Sequence, residues 1–158
     1  ALLTDAQNDM RVLLLHLRPT ELENKTLQEG LQMILKELTD KSNIRVVYKD
    51  MVKKVPKRIE DNLFRIAQEF ISNTLKHAKA SQIEVYLYQN SQEIQLKMLD
   101  NGVGFDLNAS TDEMSYGLKN IQERVDEMAG TVQFLSAKGK GTSIDVRVPI
   151  LRGEDNVE

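Results

Sequence analysis

The sequence predicts a two-layer α/β sandwich in which helices cover one face of a mixed, mostly antiparallel sheet. Two runs of residues alternate between apolar and polar side chains, which is typical of strands with one buried and one wet face. Only residues 89–92 separate the two runs, and this spacing indicates a hairpin. Apolar residues elsewhere recur at helical spacing. The apolar positions of the two runs are Ile83, Val85, Leu87, Ile94, Leu96 and Met98.

The elements before this hairpin begin with a predicted helix over residues 1–17, whose apolar residues repeat every seven positions. The repeat is too short for an independent coiled coil, so we interpret it as the end of a longer helix that stops before Pro19. A second helix is predicted after Thr26, which is suited to an N-cap. A short strand over residues 44–48 and a third helix over residues 57–78 follow.

The elements after the hairpin are a loop, a helix and two strands. Residues 107–116 are rich in Asp, Asn, Ser and Thr, which predicts a mobile loop. Residues 118–128 predict a fourth helix that stops at Gly130. The last two strands, joined by a turn over residues 137–141, have the apolar positions Val132, Phe134, Ile144, Val146 and Val148.

The composition excludes several classes of protein. A chain of 158 residues with 41% apolar side chains can form one domain with a buried core. The net charge of -3 argues against a nucleic-acid-binding protein, which usually carries a basic excess. Cysteine is absent, so neither a disulfide scaffold nor a thiolate metal site is expected. No apolar run is long enough to span a membrane, and the start at Ala1 without a Met suggests a fragment of a longer protein.

A polar stripe is predicted on the third helix, where Glu69, Asn73 and His77 follow one another at intervals of four residues. The Asn73 carbonyl oxygen is a suitable ligand for Mg²⁺. Glu69 could hold a metal-bound water or take a proton, and Lys76 or His77 could neutralise phosphate oxygens. The alternative for such a pattern is a solvated helix face without a ligand.

A glycine motif follows the second alternating run and contains Asp100, Gly102 and Gly104. A carboxylate at this place can accept a hydrogen bond from the edge of a base, and the glycines let the backbone approach a ligand closely. A simple turn is the alternative. The acid and amide ladder of a calcium loop is missing after both Asp100 and Asp106, and neither a P-loop nor a complete Rossmann motif occurs. Together the stripe and the glycine motif predict the two halves of a magnesium–nucleotide site.

These motifs resemble a known family, the GHKL (Bergerat-fold) ATPases. The polar stripe resembles their N box and the glycine motif resembles their G1 box, while residues 117–124 and 139–142 resemble the later glycine boxes. The combination is similar to the sensor histidine kinases that act with NarL-type response regulators, and most of all to the envelope-stress sensors of the LiaS/VraS type. The Arg18-Pro19 sequence resembles the junction between their dimerisation helices and the ATPase domain.

This resemblance implies that Asp100 bonds the adenine amino group of ATP and that Gly104 and Thr142 complete the base pocket. Asn73 would ligate Mg²⁺, and Glu69 would be the acid/base residue or would hold a Mg²⁺-bound water.

The phosphates would be met by Lys76 and by the backbone of Gly117 and Leu118, which the sequence places at the start of the fourth helix. His77 and Gly102 belong to the same set of nucleotide-binding residues. Phosphoryl transfer needs mainly positioning and charge neutralisation, so this sparse set is sufficient.

Two features of the family are not found in the motifs. The predicted loop over residues 107–116 would be a lid that orders around the phosphates with Gly117 as its hinge, but its gripping residues are not identified. The phosphorylated histidine is also not identified, because His16 has no acidic neighbour to act as a base. We expect the acceptor histidine on a helix before residue 1.

We therefore divide the chain into the end of a dimerisation or phosphotransfer helix with its junction (residues 1–19), a catalytic ATP-binding domain (20–150) and a polar tail (151–158). The resemblance implies ATP and Mg²⁺ as cofactors. It implies the phosphoacceptor helices of the same protein and a NarL-type response regulator as partners, with no nucleic acid, and a cytoplasmic domain of a membrane-anchored homodimer. Two alternatives stay open: an anti-sigma-factor-type serine kinase, and a non-catalytic interaction module gated by nucleotide.

Overall fold

The computed structural model describes residues 24–109, 112–151 and 153. The predicted helix over residues 1–17 and its junction at Pro19 lie outside the described residues. The helices are α1 (Leu27–Lys41), α2 (Lys57–Asn73) and α3 (Asp112–Glu127). The strands are β1 (Arg45–Met51), β2 (Gln82–Gln89), β3 (Glu93–Asp100), β4 (Thr131–Ser136) and β5 (Thr142–Pro149).

The five strands form one sheet in the order β1-β2-β3-β5-β4. β1 and β2 are parallel, because α2 lies between them in the chain and makes the crossover that a parallel pair requires. The other pairs are antiparallel. The predicted hairpin and the mixed, mostly antiparallel sheet are therefore confirmed.

The hydrophobic core lies between the sheet and the three helices. Every second residue of β2 and β3 is buried, and the residues between them are partly exposed on the other face. Helix α2 is central in this layer, and its Ile59, Leu63 and Ile66 are fully buried. In the described ranges, none of the helices combines the length and the apolar composition needed to cross a bilayer.

Helix α2 continues beyond Asn73 as a π-helical turn, Thr74–Ala78, and ends at Lys79 with a φ of 49°. The predicted extent of the third helix, residues 57–78, is thus confirmed, although its last turn is wider than an α-helix. Single π turns are rare and are often found at functional sites.

The segment before α3 differs from the prediction. A mobile loop up to Tyr116 was expected, but a 3₁₀ turn covers Leu107–Ala109 and α3 begins at Asp112. The helix starts six residues earlier than predicted, because Met114 extends its buried stripe. This stripe consists of Met114, Ile121, Val125 and Met128. Gly117 therefore lies inside the helix, and its predicted place as a hinge at the helix start is wrong.

The end of α3 agrees with the prediction that the helix stops at Gly130. Ala129 adopts a φ of 56°, and the Gly130 N–H donates to the Val125 carbonyl at 3.0 Å, as in a Schellman motif. A side chain at position 130 would lie 2.6 Å from the Arg147 carbonyl oxygen, so glycine is required by the close approach of β5.

The start of α1 is fixed by two independent contacts. Thr26 and Glu29 form a capping box, in which the Glu29 N–H donates to Thr26 Oγ1 at 3.1 Å and the Thr26 N–H donates to Glu29 Oε1 at 3.2 Å. The predicted N-cap is confirmed. The buried carboxylate of Glu60, in the first turn of α2, also accepts the Leu27 N–H at 2.9 Å.

Thr26→Ala is expected to lower the free energy of unfolding by about 0.5–2 kcal/mol, because the mutant leaves a helix N–H without its cap. Urea unfolding followed by circular dichroism measures this loss. Thr39→Ala is the matched control, since the Thr39 hydroxyl donates only to the Leu35 carbonyl one turn back in the same helix. Equal losses in both variants would show that the capping box does not stabilise α1.

Candidate functional site

Asp100 forms the floor of the candidate site. It ends β3 at a position that points to the core side of the sheet, and only 8% of it is exposed. One carboxylate oxygen accepts the Gly102 N–H at 2.9 Å, and the other lies 3.0 Å from the Thr74 hydroxyl. That hydroxyl also lies 3.1 Å from the Phe70 carbonyl, and its single proton serves one acceptor at a time. These contacts orient the carboxylate and leave lone pairs for a ligand's donor.

The glycine loop after Asp100 is held between the π turn of α2 and the turn joining β4 to β5. The Val103 N–H donates to the Ala78 carbonyl at 2.7 Å. A side chain at Gly102 would overlap Ala78, and one at Gly104, where φ is 66°, would overlap the Ala137 carbonyl. Both glycines of the motif are therefore required by close packing of the backbone.

Thr142 lies opposite Asp100 in the register of β3 and β5. Its hydroxyl is 2.9 Å from Ser136 Oγ, which also accepts the Phe105 N–H at 2.9 Å. Ser136 thus ties the glycine loop to the last two strands. It has no place in the predicted motifs, and it is recognised only when the strands are paired.

The polar stripe of α2 faces α3. A side chain at Gly117 would meet the Glu69 carboxylate and would lie 3.2 Å from Asn73 Nδ2, so the missing side chain lets the two helices approach at these residues. Glu69 also lines a polar cavity of about 370 Å³ between α2 and α3, on the side away from Asp100.

The last two polar residues of α2 face the first turn of α3. Lys76 Nζ lies 2.9 Å from one oxygen of Glu113, and His77 Nε2 lies 3.8 Å from the other, which is too far for a hydrogen bond. His77 Nε2 is buried and has no hydrogen-bond partner among the described residues. The hydrogen bond from Lys76, followed by its charge, lowers the pKa of Glu113.

A small cavity of about 30 Å³ lies where these elements meet. Four predicted residues lie next to the cavity without lining it. Glu69 and Gly117 approach each other between α2 and α3, Lys76 is the neighbour of the lining residue His77, and Gly102 packs against the lining residue Ala78. Three further residues of the site, Thr74, Glu113 and Met114, are not among those predicted. The predicted residues that line the cavity are Asn73, His77, Asp100, Gly104, Leu118 and Thr142.

The site has two chemically different ends. Around Asp100 the walls are apolar, with one oriented carboxylate, which suits a flat base that carries an amino group. Along the α2 stripe, the ammonium group of Lys76 and the imidazole of His77 suit an anion. The carboxylate of Glu69 and the carboxamide of Asn73 suit a hard cation. Within the described part of the chain, no group of three acidic or histidine side chains is placed to hold a metal without such a ligand.

Comparison with known proteins connects this site to one family. Residues 58–152 match the family described as histidine kinase-, DNA gyrase B-, and HSP90-like ATPases. The matched segment includes every predicted site residue, from Glu69 to Thr142.

Three relatives are 41–44% identical to this chain over the aligned residues. It is 44% identical over 150 residues to the sensor histidine kinase LiaS of Bacillus subtilis, 44% over 154 residues to the sensor protein VraS of Staphylococcus aureus, and 41% over 157 residues to VraS of Staphylococcus saprophyticus. These alignments cover 95–99% of this chain but only 41–45% of the relatives. The chain thus spans less than half the length of these relatives.

Two solved structures share the fold. The histidine kinase domain of a blue-light activated histidine kinase from Erythrobacter litoralis aligns with 78% of this chain at a TM-score of 0.62 and 18% identity, and this alignment covers 61% of that domain. A second structure of that kinase aligns with 85% at a TM-score of 0.66 and 16% identity, and covers 45% of the kinase. At 16–18% sequence identity, these two similarities show a shared fold only.

Proposed function

Because the chain belongs to the histidine kinase-, DNA gyrase B- and HSP90-like ATPases, we propose that it holds Mg-ATP at the Asp100 site and presents the γ-phosphoryl group to a histidine elsewhere in its parent protein. The motif resemblance to the sensor histidine kinases is borne out by LiaS and VraS, so this is an ATP-binding catalytic domain of that kind. The observation that carries the proposal is the oriented Asp100 carboxylate beside the α2 polar stripe.

The base of ATP would bind between the apolar walls of the cavity. The exocyclic amino group of adenine is a donor, and the Asp100 carboxylate is a buried acceptor already aligned by Gly102 and Thr74. When the adenine amino group moves from water into this pocket, it therefore exchanges a hydrogen bond to water for one to Asp100. Gly104 and Thr142 would line the pocket on the side of the glycine loop.

The phosphates would lie along the α2 stripe, where Lys76 and His77 can donate to phosphate oxygens. Gly117 and Leu118 stay candidates for phosphate contacts. However, their N–H groups lie inside α3 in this conformation, so such contacts would require the first part of the helix to unwind. Glu69 would act on the attacking group as an acid/base residue or through a bound water.

The donor set also fits Mg²⁺. This ion usually keeps several waters and takes one or two protein oxygens together with substrate phosphates. Asn73 offers such an oxygen, Glu69 lies close by, and no self-sufficient metal cluster exists among the described residues. Asn73 would hold the ion, and Mg²⁺, when bound, would neutralise charge on the β- and γ-phosphates.

For the parent protein we propose a two-component sensor kinase. The γ-phosphoryl group would pass to a histidine on the dimerisation helices and then to a response regulator of the NarL type. The parent would be a membrane-anchored homodimer with this domain on the cytoplasmic side. Support comes from the names of the relatives and from the share of their length that lies outside the aligned region.

The chemistry of the phosphorylated product tests this function. The chain would be incubated with Mg-ATP and with the dimerisation-helix domain of its parent, and the phosphoprotein treated with acid and with base. Phosphohistidine is lost in acid and survives base, as the proposal expects. Acid-stable phosphoserine would favour the anti-sigma-factor-type kinase, and ATP binding without transfer would favour the non-catalytic module.

Asn73→Ala is expected to abolish the part of ATP affinity that depends on Mg²⁺, because the carboxamide oxygen is lost while Asp100 still holds the base. Calorimetry with ATP in Mg²⁺ and in EDTA separates the two contributions. Wild type should bind more tightly in Mg²⁺, whereas the variant should bind about equally in both buffers. A full Mg²⁺ effect in the variant would place the ion elsewhere, with Glu69 as the first candidate.

A further inference from the structure

We propose that the first turn of α3, residues 112–116, is an internal competitor for ATP: Met114 fills the base end of the site, and Glu113 pairs with Lys76 and faces His77 at its phosphate end. This inference rests on the proposed function, since it takes the cavity at Asp100 as the base pocket. Neither residue belongs to the motifs that predicted the site.

Met114 occupies space that a base would need. Only 6% of it is exposed, although it lies in the first turn of a helix whose neighbouring residues Glu113 and Ser115 are exposed. It lines the same cavity as Asp100 and Thr142, and the volume left there is about 30 Å³. That is room for about one or two water molecules. An adenine ring can enter only after Met114 has moved out.

Glu113 takes the place of a phosphate. Its two oxygens face Lys76 Nζ at 2.9 Å and His77 Nε2 at 3.8 Å. Carboxylate and phosphate are both oxyanions and accept from the same donors. The lowered pKa of Glu113 has the Lys76 hydrogen bond as its main cause. A phosphate that needs Lys76 must therefore break this ion pair first.

Gly117 allows the two contacts to form together. Because it has no side chain, α3 can lie directly against Glu69 and Asn73, and this places the turn before it over the rest of the stripe. One rigid segment thus covers both ends of the site. ATP then binds only the fraction of molecules in which this turn has moved away, so the apparent affinity falls by that fraction.

Two variants of the chain test the competitor, with Mg-ATP as the probe in calorimetry. Glu113→Gln is expected to bind about two- to five-fold more tightly, a modest effect because the ion pair is partly exposed. Met114→Ala is expected to bind about tenfold more tightly, since its buried contacts stabilise only the closed state. Glu127→Gln, at the exposed far end of the same helix, is the matched control and should bind as wild type does.

Amide hydrogen exchange of the nucleotide-free chain provides a second measurement. The amides of residues 116–118 should be protected in wild type and in Glu127→Gln, and they should exchange faster in both test variants. Faster exchange together with tighter binding supports the competitor.

Three outcomes would overturn the competitor. If neither test variant binds more tightly than wild type, the first turn does not compete with ATP. If only Glu113→Gln gains affinity and exchange is unchanged, the effect is one of charge alone. If wild type and all variants fail to bind Mg-ATP, the proposed function fails and the competitor fails with it. Normal binding by wild type in the first two cases leaves the proposed function intact.

Discussion

Asp100→Ala is expected to weaken ATP binding by about 1–3 kcal/mol, or roughly 5- to 150-fold. The reason is the burial of the site. An adenine amino group that enters the pocket gives up its water, and without the carboxylate it finds no acceptor in return. The Asp100 carboxylate is the acceptor that Thr74 and Gly102 hold in position at the end of β3. Calorimetry with ATP measures the loss.

The variant also loses the acceptor of the Gly102 N–H, so thermal unfolding must show that the domain is still folded. Asp106→Ala is the matched control. It removes an exposed carboxylate from the same loop, where Asp106 accepts the Asn108 N–H at 2.9 Å. Wild-type affinity is expected for this control. If Asp100→Ala also kept wild-type affinity, Asp100 would not belong to the base pocket.

Gly141→Ala is expected to cause the largest loss of stability, about 2–5 kcal/mol. Gly141 has a φ of 73°, which costs an alanine about 1–2 kcal/mol. The added methyl group would also overlap the Asp100 carbonyl oxygen, and backbone cannot move aside as a flexible side chain can. Such overpacking costs about 1–3 kcal/mol more. Guanidinium unfolding measures the change, and ATP binding should fall as well because the overlap displaces Asp100.

Gly139→Ala separates the two causes. Gly139 lies in the same turn with a φ of 79°, but nothing lies within 4 Å of the methyl group that alanine would add. Only the cost of the left-handed backbone should remain, about 1–2 kcal/mol. Equal losses at positions 139 and 141 would contradict the claim that the turn packs tightly against the end of β3.

The sequence predicts the fold well where periodicity is strong. The alternating runs in β2 and β3 give the hairpin, and the stripe on α2 gives the long central helix. Asp100 is predictable because it breaks the apolar series of β3 at its last inward position. In such elements the regular period of the helix or strand decides which side chains share a face, so the apolar pattern of the sequence is enough to predict them.

The errors occur where distant contacts decide the structure. The segment before Gly117 is polar and rich in turn-forming residues, yet it is helical because Met114 is buried against α2 and the sheet. Its ion pair joins Lys76 and Glu113, which are 37 residues apart. The π turn at Thr74–Ala78 likewise had no local signal. Tertiary packing overrides local propensity at each of these positions.

The contact between the Leu27 N–H and Glu60 has a mechanical consequence. It joins the first residue of α1 to the first turn of α2, in the core and not at the surface. A displacement of Thr26 is therefore passed to α2 through a buried hydrogen bond, in addition to the packing of α1 in the core. Asn73 lies thirteen residues after Glu60 in the same helix, which is about 20 Å along the helix axis. The start of α1 and the polar stripe are thus connected through one buried hydrogen bond and one continuous helix.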